Sequence, residues 1–293
     1  MAILPQIEID PKTFLRQHCT LPALPTLVTN LQQMLQKEDT SITQVAELIS
    51  SDPALVAQIL KIVNSAYYSL PQEVTKINFA VAFLGLNEIC RLALTLSVIN
   101  TLDIAQSREL VAFWHHSFYT ALCTKHLART YMPQLPFDEL WSAAILHDIG
   151  KLVYLKFFPE HYLALQAYCT EQGCLFSTAE EKLGMPSSSF FGILLCEHWL
   201  LPSKVRDACM WHSLKDIEYL QKDTSPGGDF KRMVCLGNLV AVLASDSLAT
   251  EVKHQLAEAI TTVLQISESQ FLTLMGSIYD LRLEVEAFLK KFQ

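Results

Sequence analysis

Residues 143–152 read Ala143-Ala144-Ile145-Leu146-His147-Asp148-Ile149-Gly150-Lys151-Leu152. The pattern predicts an apolar helix that carries an adjacent histidine–aspartate pair and closes on a glycine. Because leucine, isoleucine and alanine dominate the stretch, the polar pair is expected to lie beside core. Burying an imidazole next to a carboxylate costs several kcal/mol unless each group finds a partner, and the usual partners are hydrogen-bond donors or a metal ion. The search for a function therefore begins at this pair.

The pair admits two interpretations. In the first, His147 and Asp148 are neighbouring ligands of a divalent metal, completed by His and Asp residues from other helices. In the second, Asp148 binds backbone groups or a basic side chain, and His147 is a hydrogen-bonded core histidine. Short pairs recur by chance, and perturbed groups also occur in structural networks, so the dipeptide alone favours the structural interpretation.

The composition predicts a compact protein with a sizeable core. The chain has 293 residues, of which 51% are hydrophobic and 18% are charged. This length allows one large domain or two small ones. The formal charge of −8 argues against a nucleic-acid partner, because such proteins usually carry a basic face or stripe.

Three features indicate a cytoplasmic protein. The first eleven residues carry Glu8 and Asp10 but no basic residue, so no signal peptide is predicted. The longest apolar stretch, residues 77–87, is too short to cross a bilayer, and no membrane partner is expected. The eight cysteines form no Cys-x-x-Cys pair and are expected to be reduced core residues.

Helical periodicity extends along nearly the whole chain and predicts an all-α protein. Apolar residues recur three and four positions apart, and no clear run of alternating β-branched residues appears. The segment Ser41-Ile42-Thr43-Gln44 has the form of a capping box, and Asp52-Pro53 supplies an N-cap and a first helical residue. The polar segment 103–108 is the best candidate for a joint between two helical lobes.

Several motifs stand in a fixed order along the chain. They are Leu21-Pro22-Ala23-Leu24-Pro25, Ile49-Ser50-Ser51-Asp52-Pro53-Ala54-Leu55, Val63-Asn64-Ser65-Ala66-Tyr67-Tyr68, Ala80-Val81-Ala82-Phe83-Leu84-Gly85-Leu86, Phe113-Trp114-His115-His116-Ser117, the segment 146–152, Trp199-Leu200-Leu201-Pro202 and Trp211-His212. Together they closely resemble the HDOD domain, a bacterial signalling relative of the HD metal-dependent phosphohydrolases. The resemblance covers roughly residues 16–245.

This resemblance implies a two-lobed helical HDOD/HD-like domain with additions at both ends. The expected parts are an N-terminal extension at 1–15, an N-terminal helical lobe at 16–102, an HD-like helical lobe at 107–247 and a C-terminal helical extension at 248–293. The extension after Ser247 lies outside the resemblance, and its apolar faces could pack on the second lobe or form a homodimer.

The resemblance also implies a set of vestigial metal ligands. Catalytic HD proteins hold metal with a histidine on an earlier helix, the His-Asp pair and a distant aspartate, often with added histidines. His116 matches the first histidine, and His147 with Asp148 match the pair. His212 matches the first of two histidines that often end a later helix. A residual divalent metal ion is the one cofactor that this set admits.

Three positions depart from the family pattern. Asn238 stands where the distant aspartate is expected, while Ser188 and Ser213 stand where HDOD relatives often carry histidines. Losing a carboxylate removes negative charge that compensates a dication, and a neutral amide is a weaker ligand. The site is therefore expected to be degenerate and non-catalytic, in line with what is generally held of HDOD proteins.

The function implied by the resemblance is a regulatory interaction module. Its expected partner is a signalling protein such as a sensor kinase or a cyclic-dinucleotide enzyme. Two alternatives stay open. One is a residual metal-dependent phosphohydrolase that acts on a nucleotide or phosphate ester through the four candidate ligands. The other is a nucleotide sensor that does not hydrolyse its ligand, in which Lys151 meets a phosphate, although Lys151 could equally cap helix carbonyls.

Overall fold

The computed structural model describes residues 25–289, except 36, 38, 65–67, 69, 71, 106 and 246. Every regular element among them is helical, which confirms the all-α prediction. The predicted extension 1–15 and the motif residues 21–24 and 65–67 lie outside the described residues. None of the described helices is long and apolar enough to cross a membrane.

The described residues form two compact units. The larger unit is Ile104–Asp280, and the smaller one combines the residues up to Asp103 with those from Leu281 onward. The division at Asp103 falls in the polar segment 103–108, which the sequence predicts as a joint. The residues after Ser247 do not form a unit of their own, because those up to Asp280 are grouped with the larger unit.

Side-chain caps mark the first residues of two helices in the smaller unit. Its helices are α1 (Thr26–Leu35), α2 (Ile42–Ser50), α3 (Pro53–Val63), α4 (Ile77–Leu84) and α5 (Leu86–Thr101). Before α2, the Ser41 hydroxyl accepts from the Gln44 N–H at 3.2 Å, and the Gln44 side chain accepts from the Ser41 N–H at 2.9 Å. Asp52 Oδ1 accepts from the first N–H groups of α3. Both predicted caps are therefore confirmed.

The larger unit contains the rest of the helices. They are α6 (Arg108–Tyr131), α7 (Phe137–Leu146), α8 (Gly150–Phe157), α9 (Pro159–Gln172), α10 (Phe176–Lys182), α11 (Ser188–His198), α12 (Ser203–Met210), a 3₁₀ turn (Leu214–Asp216), α13 (Ile217–Lys222), α14 (Gly228–Ser245), α15 (Thr250–Leu264) and α16 (Glu268–Leu289), of which α16 continues beyond Asp280.

Helix α6 is the central element of the larger unit. It begins at an N-cap, where the Ser107 hydroxyl accepts from the Leu110 N–H at 3.2 Å. It then packs against both α7 and α14. The fully buried side chains of α6 include Tyr119 and Leu127. This packing holds His116 on α6 over the turn that follows α7.

The His-Asp pair lies in a turn and not inside a helix. Helix α7 ends at Leu146, and the next helix begins at Gly150, so the prediction of one helix closing on this glycine was wrong. The Ile149 N–H donates to the Leu146 carbonyl at 3.0 Å, and the Lys151 N–H donates to the Asp148 carbonyl at 2.9 Å. These short-range bonds tighten the chain over three residues and turn it from α7 into α8.

Candidate metal centre

The structure brings all four predicted ligand residues together around one carboxylate. His116 comes from α6, His147 and Asp148 from the turn after α7, and His212 from the segment after α12. Asp148 Oδ2 lies 3.2 Å from His116 Nε2 and 3.3 Å from His147 Nε2, while Oδ1 lies 3.3 Å from His212 Nε2. The ligand atoms of the first three residues lie within 4.8 Å of one another.

Backbone carbonyls orient two of the imidazoles. His147 Nδ1 lies 2.6 Å from the Ala144 carbonyl, and His212 Nδ1 lies 3.1 Å from the Ala208 carbonyl. Each Nδ1–H donates to its carbonyl, so in the neutral ring the lone pair is on Nε2, which faces Asp148. The same backbone contact is what usually orients a histidine that binds a metal.

A lysine ammonium is the closest cation to this carboxylate. Lys151 Nζ donates to Asp148 Oδ2 at 2.5 Å, and the Asp148 side chain is 1% exposed. Burial opposes ionisation of Asp148, but the charge of Lys151 and the hydrogen bond from His116 hold the pKa of Asp148 well below its ordinary value. Asp148 is therefore a carboxylate anion that is already paired inside the protein.

The pKa values of the two buried histidines are shifted in opposite directions. Burial lowers the pKa of His147 to about 4, an effect that the charge of Asp148 only partly offsets. Burial also acts to lower the pKa of His212, but the contact with the Asp148 carboxylate raises it above its ordinary value. His147 is therefore neutral at pH 7, and its Nε2 lone pair, which faces His116 Nε2 at 3.3 Å, is the atom that could bind a cation.

The donor set fits one divalent transition-metal ion. Imidazole nitrogens suit zinc, iron and nickel. Asn238 Oδ1 is buried and accepts no hydrogen bond from the part of the chain that the structure describes, and Asp148 Oδ1 has His212 Nε2 at 3.3 Å as its neighbour. Buried acceptors without donors call for an additional partner, which a cation would supply. His116, His147, Asp148 and His212 are the residues that would hold such an ion.

The three departures from the family pattern have different positions. Asn238 Nδ2 donates to the His212 carbonyl at 2.8 Å, which places its neutral amide beside the cluster. The Ser213 hydroxyl donates to Asp216 at 2.6 Å and so caps the 3₁₀ turn. The backbone N–H of Ser188 donates to Glu180 at 2.7 Å. None of these three adds negative charge to the site.

Glu180 is a buried acid beside the site that is not among the residues predicted from the sequence. It is 2% exposed, and burial raises its pKa to about 7, with the Ser188 hydrogen bonds and the charge of Lys151 acting in the opposite direction. One sequence signal could have identified it. Glu180 follows Phe176 and Ala179 at helical spacing, so it falls inside the apolar stripe of α10.

A cavity of about 550 Å³ within the larger unit adjoins the cluster. Its lining includes His116, Asp148, Lys151, His212 and Asn238, together with the aromatic rings of Phe113, Tyr162 and Phe176. Among the four candidate ligands, His147 does not line the cavity. The volume falls within the range of small-molecule sites. The three other candidate ligands are therefore accessible to a small molecule from the side of the cavity.

Comparison with known families and proteins assigns most of the chain to one family. The family model of the HDOD domain matches residues 21–214. An uncharacterized protein of Treponema pallidum (strain Nichols) is 24% identical over 192 residues, which cover 66% of this chain and 37% of that protein. The uncharacterized protein YuxH of Bacillus subtilis (strain 168) is 44% identical over 57 residues, 20% of this chain and 14% of YuxH. The chain thus spans well under half the length of these curated relatives.

Solved structures share the fold at low sequence identity. An HDOD domain protein of unknown function from Geobacter sulfurreducens is 23% identical, with a TM-score of 0.74 over 95% of this chain and 96% of that one. A protein of Shewanella amazonensis SB2B, provisionally named a phosphohydrolase, is 23% identical, with a TM-score of 0.67 over 94% and 98%. A protein of Marinobacter aquaeolei VT8, provisionally named a signal transduction protein, is 20% identical, with a TM-score of 0.70 over 96% and 61%.

Proposed function

Because the chain belongs to the HDOD domain family, we propose that it is a regulatory module of bacterial signal transduction that binds a protein partner and does not hydrolyse phosphate esters. The name of the Marinobacter aquaeolei protein with the same fold supports the signalling role. Sensor kinases and cyclic-dinucleotide enzymes are the proposed partner classes, and a cytoplasmic location is proposed with them. The HD site would then contribute to the stability of the module and not to turnover.

The ion pair between Lys151 and Asp148 carries this proposal. Asp148 is the one carboxylate in the candidate ligand set, and the Lys151 ammonium already donates to it at 2.5 Å. The Lys151 side chain is itself 19% exposed and packs 4.8 Å from the centre of the Phe176 ring. A buried carboxylate that is compensated by an internal ammonium does not need a metal ion for its charge balance.

The neutral amide of Asn238 supports the same conclusion. Metal-assisted hydrolysis requires an activated water, and a bound ion would lower the pKa of such a water and polarise a phosphoryl group. This chemistry also depends on acid or base groups that hold the water. Asn238 can neither accept a proton nor compensate a positive charge. The cluster therefore lacks a second carboxylate to hold an attacking water at this position.

A hydrolysis screen of the purified protein tests the proposal. The substrates are p-nitrophenyl phosphate, bis-p-nitrophenyl phosphate and a set of nucleoside mono- and triphosphates, each with Mn²⁺, Zn²⁺ or Ni²⁺. We expect no turnover above that of an Asp148→Asn/Lys151→Met double variant. Turnover that is present in the wild-type protein and absent in both His147→Ala and the double variant would contradict the proposal.

A second candidate function is that of a residual phosphohydrolase. The convergence of His116, His147 and Asp148 beside a cavity favours it, as does the name of the Shewanella amazonensis protein with the same fold. The nucleotide-sensing alternative rests on the same cavity, with Lys151 in its lining. The screen separates the three, because ligand-dependent thermal stabilisation without turnover would indicate a sensor.

A further inference from the structure

Lys151 occupies a position that a bound metal ion would compete for. Its ammonium donates to Asp148 Oδ2, the same oxygen that lies 3.2 Å from His116 Nε2 and 3.3 Å from His147 Nε2. A metal ion bound by these three atoms would therefore share its carboxylate oxygen with a second positive charge. The repulsion between two cations at such a short separation is strong in a buried site.

We infer that Lys151 is an internal cation that neutralises Asp148 and so lowers the affinity of the cluster of His116, His147, Asp148 and His212 for a divalent metal ion. This inference rests on the proposed non-hydrolytic function and names the residue that controls it. Lys151 lowers the affinity without abolishing it, because its ammonium contacts Asp148 Oδ2, whereas Asp148 Oδ1 faces His212 Nε2 at 3.3 Å and can still bind an ion together with that histidine.

The neighbours of Lys151 hold it in this position. Lys151 follows Asp148 by three residues in the sequence. The first turn of α8 therefore brings the Lys151 ammonium into contact with the Asp148 carboxylate. The Phe176 ring contacts the ammonium from α10 at 4.8 Å. Because Asn238 is neutral, no carboxylate at that position balances the extra charge that a dication would bring. The charge balance of the cluster is complete without a metal ion.

Replacing Lys151 with methionine reverses this balance. Methionine keeps an unbranched stem but carries no charge, so Asp148 becomes an unpaired buried anion that a metal ion would compensate. We expect Lys151→Met to bind Zn²⁺ at least about tenfold more tightly than the wild-type protein, since groups around metal ligands commonly change affinity by ten- to a hundredfold. Lys151→Arg keeps the positive charge and should bind Zn²⁺ as weakly as the wild-type protein.

Isothermal titration calorimetry with Zn²⁺ under reducing conditions measures the affinities. Lys204→Met is the matched control, because Lys204 also combines an ion pair, with Glu139, and a ring contact, with Phe230. It should bind Zn²⁺ like the wild-type protein. The double variant Asp148→Asn/Lys151→Met should not show the increased Zn²⁺ affinity of Lys151→Met. This result would show that the tighter binding occurs at Asp148 and not at a cysteine.

Circular dichroism covers the case in which Lys151→Met does not fold alone. Recovery of its helical signal on addition of Zn²⁺ would support the inference, because the ion then replaces the lysine. Equal or weaker Zn²⁺ binding by a folded Lys151→Met variant would overturn it, as would failure of both Lys151→Met and Lys151→Gln to fold at millimolar Zn²⁺. Phosphoesterase activity of the wild-type protein would refute the proposed function but leave this ranking of affinities unaffected.

Discussion

The contacts of Asp148 determine which role the site can have. One of its oxygens contacts two histidines and Lys151, and the other lies 3.3 Å from His212. Whether the cluster acts as a structural network or as a metal centre depends on which cation compensates this one carboxylate. The cost of leaving it unpaired is about 3 to 5 kcal/mol, which is comparable with the whole stability of many domains.

The buried carboxyl group of Glu180 should make the stability of the protein depend on pH. Burial raises the pKa of Glu180 from its ordinary value of 4.5 to about 7. The folded protein therefore binds this proton more tightly than the unfolded chain, so the stability contributed by Glu180 is complete below pH 4.5 and is lost as the pH rises towards 7. The rise in the pKa of Glu180 corresponds to about 3 kcal/mol in the free energy of unfolding. Glu180→Gln should remove this part of the decline in unfolding free energy between pH 4.5 and 8.

Urea unfolding at several pH values measures the effect. The neighbouring Glu181 is the control, because its side chain is 63% exposed and pairs with Lys215. Glu181→Gln should keep the pH profile of the wild-type protein. A Glu180→Gln profile that runs parallel to that of the wild-type protein would mean that Glu180 titrates near its ordinary pKa in the folded state.

At the scale of the helices, a glycine sets the distance between α8 and α11. A Cβ atom added at Gly150 would lie 1.9 Å from the Ser188 carbonyl oxygen and 2.5 Å from the Gly192 nitrogen. Both are backbone atoms, so they cannot move aside as the end of a flexible side chain can. Glycine at the start of α8 therefore allows the close approach of this helix, which also carries Lys151, to α11.

Substitution of this glycine should be strongly destabilising. We expect Gly150→Ala to lower the free energy of unfolding by about 3 kcal/mol, because overpacking against backbone forces the helices apart. Gly276 in α16 is the control, since it is exposed and a Cβ there meets nothing within 4 Å. Gly276→Ala should raise stability by roughly 0.5 to 1 kcal/mol through better helix propensity. Equal effects of the two substitutions in thermal unfolding would refute the close packing of α8 on α11.

At the scale of the whole molecule, a long-range hydrogen bond attaches α16 to the larger unit. The Tyr119 hydroxyl of α6 donates to the Ile278 carbonyl at 2.8 Å, and both residues are fully buried. The two residues are 159 positions apart in the chain. The first part of α16 is therefore integrated into the core of this unit, although it lies beyond the region that resembles the family.

Removal of this hydroxyl should weaken the larger unit. We expect Tyr119→Phe to lower the free energy of unfolding by about 1 kcal/mol, the usual net value of a buried hydrogen bond. Tyr131→Phe on the same helix removes a hydroxyl from a partly exposed ring and should change stability little. Chemical denaturation followed by circular dichroism compares the two variants. Identical midpoints would show that the contact with Ile278 contributes nothing to stability.

Much of this protein can be predicted from its sequence, where the determining interactions are local. Helical periodicity, the capping box at Ser41 and the N-cap at Asp52 depend on residues a few positions apart, so the all-α fold and these boundaries follow directly from the sequence. The ordered motifs predicted the HDOD family, and the resemblance identified four residues that the fold brings together.

The pairing and burial of the charged groups in the site depend on the tertiary structure alone. His116 and His147 are 31 residues apart, and only the packing of α6 against α7 places their nitrogens 3.3 Å from each other. The turn at His147, the burial of Glu180 beside the Ser188 N–H and the approach of α8 to α11 at Gly150 also depend on helix packing. The sequence shows which charged groups exist, but their pairing depends on distances that only helix packing sets. For this reason Lys151 could be read as a ligand contact or a helix cap in the sequence, and as the partner of Asp148 only in the folded protein.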